Sequence, residues 1–103
     1  MEQMKVKAKQ VADLLKVLAN ENRLLILCEL SKEPMSVSDL LEKLDITQSG
    51  ISQHLAILKA NGILDYDKKA QTVVYSVKDE RIYKVMQVLK ETYCSNEEEM
   101  PYE

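Results

Sequence analysis

The strongest constraint on this chain is a change of period at Gly62. Before it, apolar residues recur at helical spacing; after it, they alternate at a spacing of two. On the upstream side, Ser36-Val37-Ser38-Asp39 sets a hydroxyl three residues before an acid, the capping-box pattern. It predicts a short helix through Leu44 with Val37, Leu40, Leu41 and Leu44 facing inward. Asp45-Ile46 makes a brief turn. Thr47 then caps a helix to about Asn61, with Ile51, Leu55, Ile57 and Leu58 as its buried stripe, and Gly62 supplies a left-handed stop. Two short helices joined by a tight turn are a helix-turn-helix candidate. On the downstream side, Ile63-Leu64-Asp65-Tyr66 reads as a strand, Asp67 to Gln71 as a turn, and Val73 to Val77 as a returning strand. The fold class expected is mainly α with a small β-hairpin: a winged helix-turn-helix.

Helices flank this unit on both sides. Val6, Val11, Leu14, Leu15 and Leu18 predict a first helix from Val6 to Leu18. Asn20 caps a second, nearly all-apolar helix around Leu24 to Leu30, the expected buried centre, and Pro34 stops it. Asp79 caps a last helix to about Cys94, with Ile82, Val85, Met86, Leu89 and Tyr93 on one face. A chain of 103 residues is one small domain that cannot cover the stripes of both terminal helices by itself. A homodimer through the first and last helices would cover them. The domain is placed at residues 1–96, and 97–103 is read as an acidic, disordered tail.

Charge narrows the partner. The chain carries a net −3, but Glu97, Glu98, Glu99 and Glu103 stand in the tail; without them, fourteen basic side chains face thirteen acidic ones. Nucleic-acid binding therefore has to come from a local patch rather than a global field. One segment qualifies. Ile46 to Leu64 holds no acidic residue, where average composition predicts about three. Thr47, Gln48, Ser49, Ser52, Gln53 and His54 crowd its amino-terminal half, and short donors and acceptors of this kind reach base edges. Gly50 is read as letting the backbone approach DNA. Lys68 and Lys69, at the predicted hairpin tip, are candidates for phosphate contact.

Other chemistries find little to work with. His54 is the lone histidine and has no partner at metal-ligand spacing. There is no Cys-x-x-Cys, no cysteine beside a histidine and no cofactor loop. No enzyme, no cofactor and no resident metal are expected. The longest aliphatic run is far short of a membrane span, and no basic start precedes an apolar stretch. A cytoplasmic location with reduced thiols follows as the expectation. Cys28 reads as a core cysteine; Cys94 lies off the main apolar stripe at a helix end, so packing explains it less well.

Three strings carry a likeness: LLKVLANENRLLILCEL, MSVSDLLEKLDITQSGISQHLAILKANGIL and AQTVVYSV. From about Val11 to Cys94 the chain resembles the ArsR/SmtB family of dimeric winged-helix repressors. The resemblance implies a homodimer that binds double-stranded operator DNA and changes state with an effector. A familiar metal site of the family uses Cys-x-Cys where this chain has Ser36 and Ser38; another uses histidines on the last helix, and this one has none. Cys28 in RLLILC and Cys94 in LKETYC instead resemble the dithiol, BigR- and SqrR-like branch. That branch implies effector-sensing thiols answering to reactive sulfur species or an oxidant. A metal or metalloid held by the same two cysteines is the alternative.

Overall fold

The structure is a computed structural model and describes residues 1–94. The acidic tail expected at 97–103 lies outside them. Five helices and three strands follow in the order α1 (Glu2–Leu18), α2 (Glu21–Lys32), β1 (Met35–Ser36), α3 (Val37–Lys43), α4 (Gln48–Ala60), β2 (Leu64–Lys69), β3 (Thr72–Val77) and α5 (Glu80–Tyr93).

The helix ends are where local chemistry places them. Asn20 accepts from the Arg23 amide at the start of α2. Ser36 and Asp39 close a reciprocal capping box on α3, at 3.1 and 3.0 Å. A cap of this kind stabilises by about 1 kcal/mol. Thr47 Oγ1 accepts from Gly50 N at 3.0 Å, and Asp79 accepts from Arg81 N at 2.9 Å. At the end of α4, Gly62 takes φ +74°. Its amide donates to Lys59 O and that of Ile63 donates to Leu58 O, each at 3.0 Å, a Schellman pair that satisfies two of the last carbonyls.

Four details differ from expectation. α1 starts at Glu2 rather than Val6, because Glu2 to Lys5 are good helix formers and an acid suits the first turn. A strand β1 pairs Met35 with Tyr75 and Ser36 with Val74, so the hairpin is part of a three-stranded antiparallel sheet ordered β1-β3-β2. Two residues are too few to show a period. The hairpin strands run on to Lys69 and Thr72, leaving only Ala70 and Gln71 as the turn. β2 is exposed beyond Leu64, so its sequence lacks the alternation of a half-buried strand. Finally, Ile57 is only half-buried, on the shoulder of the α4 stripe, and Tyr93 is exposed.

The core gathers Ile26, Leu27 and Leu30 of α2 against Leu40 of α3, Ile51, Leu55 and Leu58 of α4, Ile63, and Ile82 of α5. Each such side chain contributes about 1.5–3 kcal/mol by leaving water. α2 is thus the centre of the fold, though Leu25 on its far side is exposed. α1 buries only Leu18. The molecule is flat, 47 × 38 × 20 Å, with a radius of gyration of 15.0 Å, where a compact single domain of this length has about 13 Å. No described helix is long and apolar enough to cross a membrane.

Candidate nucleic-acid interface and thiol cavity

α4 presents one buried and one open face. Ile51, Leu55 and Leu58 point into the core. Thr47, Gln48, Ser49, Ser52 and Gln53 are exposed, and His54 is half-buried. The helix contains no acidic side chain, and its free amino-terminal amides carry the positive end of the dipole. Thr47 has a second duty: its hydroxyl holds the cap and lies 3.4 Å from Ser49 Oγ. Gly50 has a role within the protein itself. A β-carbon there would meet Thr47 Oγ1 at 3.0 Å and Ile46 Cγ2 at 3.1 Å, so the glycine makes room for the cap and for Ile46 within the protein.

The wing stands beside this helix. Lys68 pairs with Val73 and Lys69 with Thr72, next to the two-residue turn, and both lysines are exposed. Sequence reasoning missed two neighbours. Lys59 sets its ammonium 3.9 Å from the centre of the Tyr66 ring, joining α4 to β2. Arg23 reaches from α2 to His54, Nη1 to Nδ1 at 3.4 Å, and donates from Nε to Val17 O at 2.6 Å. Burial, and then the Arg23 charge, hold the His54 imidazole below the usual histidine range. The lone histidine was singled out from sequence, but its partner lies thirty-one residues upstream and only the helix packing reveals it.

Cys28 on α2 and Cys94, the residue that ends α5, both line a cavity of about 320 Å³ between these helices. Leu24, Met86, Leu89, Tyr93 and Lys90 complete its wall. Both thiols are free and half-buried. Among the described residues, no group of three or more His, Cys, Asp or Glu could hold a metal ion.

Comparison with known proteins agrees with this architecture. Residues 20–66 match the model of the bacterial regulatory protein, arsR family. The chain is 37% identical over 94 residues to the transcriptional activator HlyU of Vibrio cholerae, covering 91% of this chain and 87% of that protein. It is 35% identical over 97 residues to the biofilm growth-associated repressor of Agrobacterium fabrum, covering 94% and 83%. The crystal structure of the transcriptional regulator HlyU from Vibrio vulnificus superposes with a TM-score of 0.84 at 41% identity, over 90% of this chain and 97% of that one. The winged helix, the acid-free α4 and these likenesses together make the chain a member of the bacterial ArsR family of DNA-binding transcriptional regulators, and not an enzyme.

Proposed function

We propose that this protein is a homodimeric repressor that holds operator DNA while its thiols are reduced and lets go when Cys28 and Cys94 are oxidised together or joined through added sulfur. The observation that carries the switch is the shared cavity: residues far apart in sequence line one apolar pocket between the central helix and the last one. Transfer from an organic persulfide balances. One thiolate takes the outer sulfur of RSSH and releases RS⁻. The second thiolate then attacks the inner sulfur of the new protein persulfide and expels HS⁻, leaving a disulfide. If the second thiol has also become a persulfide, its outer sulfur attacks the inner sulfur of the first persulfide and expels HS⁻, leaving a trisulfide, a longer bridge that suits a wider separation of the α-carbons than the ~7 Å limit of a plain disulfide.

Dimerisation is supported by the face that a single chain leaves open. Val6, Val11 and Leu15 of α1 are each 53% exposed, and Val88 of α5 is 58% exposed. A groove lined by Val11 and Leu14 of α1 also touches Arg81 of α5, so the open side of α1 reaches the first turn of α5. A second copy covering it would set two α4 helices into successive major grooves about 34–36 Å apart. Gln48, Ser49, Ser52, Gln53 and His54 would then face base edges and phosphates, with Thr47 shaping the helix start and Lys68 and Lys69 on the flanking backbone. Since α5 carries both Cys94 and part of the open face, a change at the thiols alters the spacing of the reading heads.

The test compares wild type, Cys28→Ser and Cys94→Ser in a gel shift on operator DNA, before and after persulfide or disulfide treatment, with intact-mass measurement. Wild type should bind when reduced, release on treatment, and change in mass by an amount that counts the bridging sulfurs, a loss of two hydrogens marking a plain disulfide. Each variant should bind and fail to release. Normal release by both variants would remove the thiol switch and leave DNA binding standing.

A further inference from the structure

We infer that Arg23 is a positioning residue for DNA recognition: by donating to both Val17 O and His54 Nδ1, it ties α1 to the reading helix and leaves His54 Nε2–H as a set donor for an acceptor on DNA. This rests on the reading of α4 as the helix that contacts DNA.

The geometry begins with a cap. Asn20 Oδ1 accepts from Arg23 N at 3.0 Å, which fixes the arginine backbone at the first turn of α2. From there the guanidinium spans two elements. Val17 lies in the last turn of α1, whose carbonyls have no partner further along the helix. The Nε donation at 2.6 Å satisfies Val17 O and meets the negative end of the helix dipole. The other arm, Nη1, lies 3.4 Å from His54 Nδ1.

A guanidinium only donates. Nδ1 must therefore accept, and the proton of the neutral ring sits on Nε2. A protonated ring would instead turn an N–H toward the guanidinium, and Arg23 is the charged group that acts on His54 among the described residues. Lysine could serve one acceptor from this position but not both in a planar fork. The result is a histidine whose tautomer is set from inside the protein. Its matching acceptor on DNA is a phosphate oxygen or a base-edge acceptor such as guanine N7.

Because His54 is the only histidine, its ring nitrogens give unambiguous ¹⁵N signals. The wild-type ring should show the Nε2–H pattern, and Arg23→Met should shift it toward a mixture and raise its titration midpoint. Affinity for the best duplex recovered from a randomised DNA pool should fall about three- to tenfold in Arg23→Met, the size of one hydrogen bond. Adding His54→Ala to that variant should cost no more. His54→Gln, which keeps an amide donor near the Nε2 position, should bind within about threefold of wild type, while His54→Asn should not. Equal loss on all base-changed duplexes identifies a phosphate as the acceptor; relaxed preference at one base pair identifies a base edge.

An Nδ1–H ring in wild type, a ring indifferent to Arg23→Met, or losses that simply add would overturn the assignment. If Arg23→Met does not fold, the wild-type ring spectrum and the Gln–Asn pair decide it. Failure of wild type to bind any recovered duplex would sink the DNA reading itself, while the ring spectrum still reports on Arg23.

Discussion

Lys59 and Tyr66 meet as ammonium over ring, 3.9 Å from the centroid, and so fasten the last turn of α4 to the first wing strand. The contact continues inward. Tyr66 lies opposite Tyr75 in the sheet register, with ring centroids 6.4 Å apart, and Tyr75 pairs in turn with Met35 just before α3. The helix-turn-helix and the wing are thereby held as one body.

Tyr66→Phe should retain this link, and Tyr66→Ala should lose about 0.5–1 kcal/mol of stability from the cation–π contact. Loosening the wing should also lower DNA affinity in the alanine variant while sparing the base preference read by α4. Thermal unfolding with binding to matched and mismatched duplexes checks both parts; an alanine variant as stable as wild type would remove the role.

Ala70 is a non-glycine residue at positive φ, +58°, in the two-residue wing turn. The left-handed region costs an L-residue about 1–2 kcal/mol, more than the extra freedom that glycine brings to the unfolded chain. Ala70→Gly should therefore stabilise the protein by up to about 1 kcal/mol, raising the midpoint by several degrees. A lower melting temperature would contradict the reading of the turn.

Asp79 caps α5 and takes two bonds from the Arg81 side chain, at 3.0 and 2.7 Å. Those bonds hold its carboxyl below its ordinary value of 3.8. The folded pKa lies below the unfolded one, so the contribution is fully present above about 3.8 and is lost as pH falls through the folded value. Asp79→Asn should keep much of the cap and flatten the acid limb of stability below that pH. An unchanged acid profile would show that other carboxylates carry it.

Leu15→Glu places a charge on the open apolar face of α1 without touching the core, since Leu15 is 53% exposed. The variant should keep its far-UV circular dichroism, lose the dimer in sedimentation, and bind full operators no better than half-sites. A variant that stays dimeric would move the interface elsewhere.

Most of the fold was legible along the chain, because local rules govern it. Asn20, Ser36, Thr47 and Asp79 announce helix starts by side chains that bond their own first turns. Gly62 announces a stop because its backbone must be left-handed. The candidate reading face was legible for the same reason: residues a few positions apart on one helix need no tertiary information to share a side.

What was not legible depends on segments distant in sequence. β1 exists because Met35 and Ser36 find β3 beside them, not because two residues prefer a strand. The length of β2 is set by its pairing with β3, since its exposed side chains carry no period. Cys28 and Cys94 come to one cavity, and Arg23 to His54, only through the packing of α2 against α5 and α4. Caps, turns and amphipathic stripes are short-range energies written residue by residue. Cavities and cross-helix hydrogen bonds are made by packing, and packing is defined only once every helix has its neighbours.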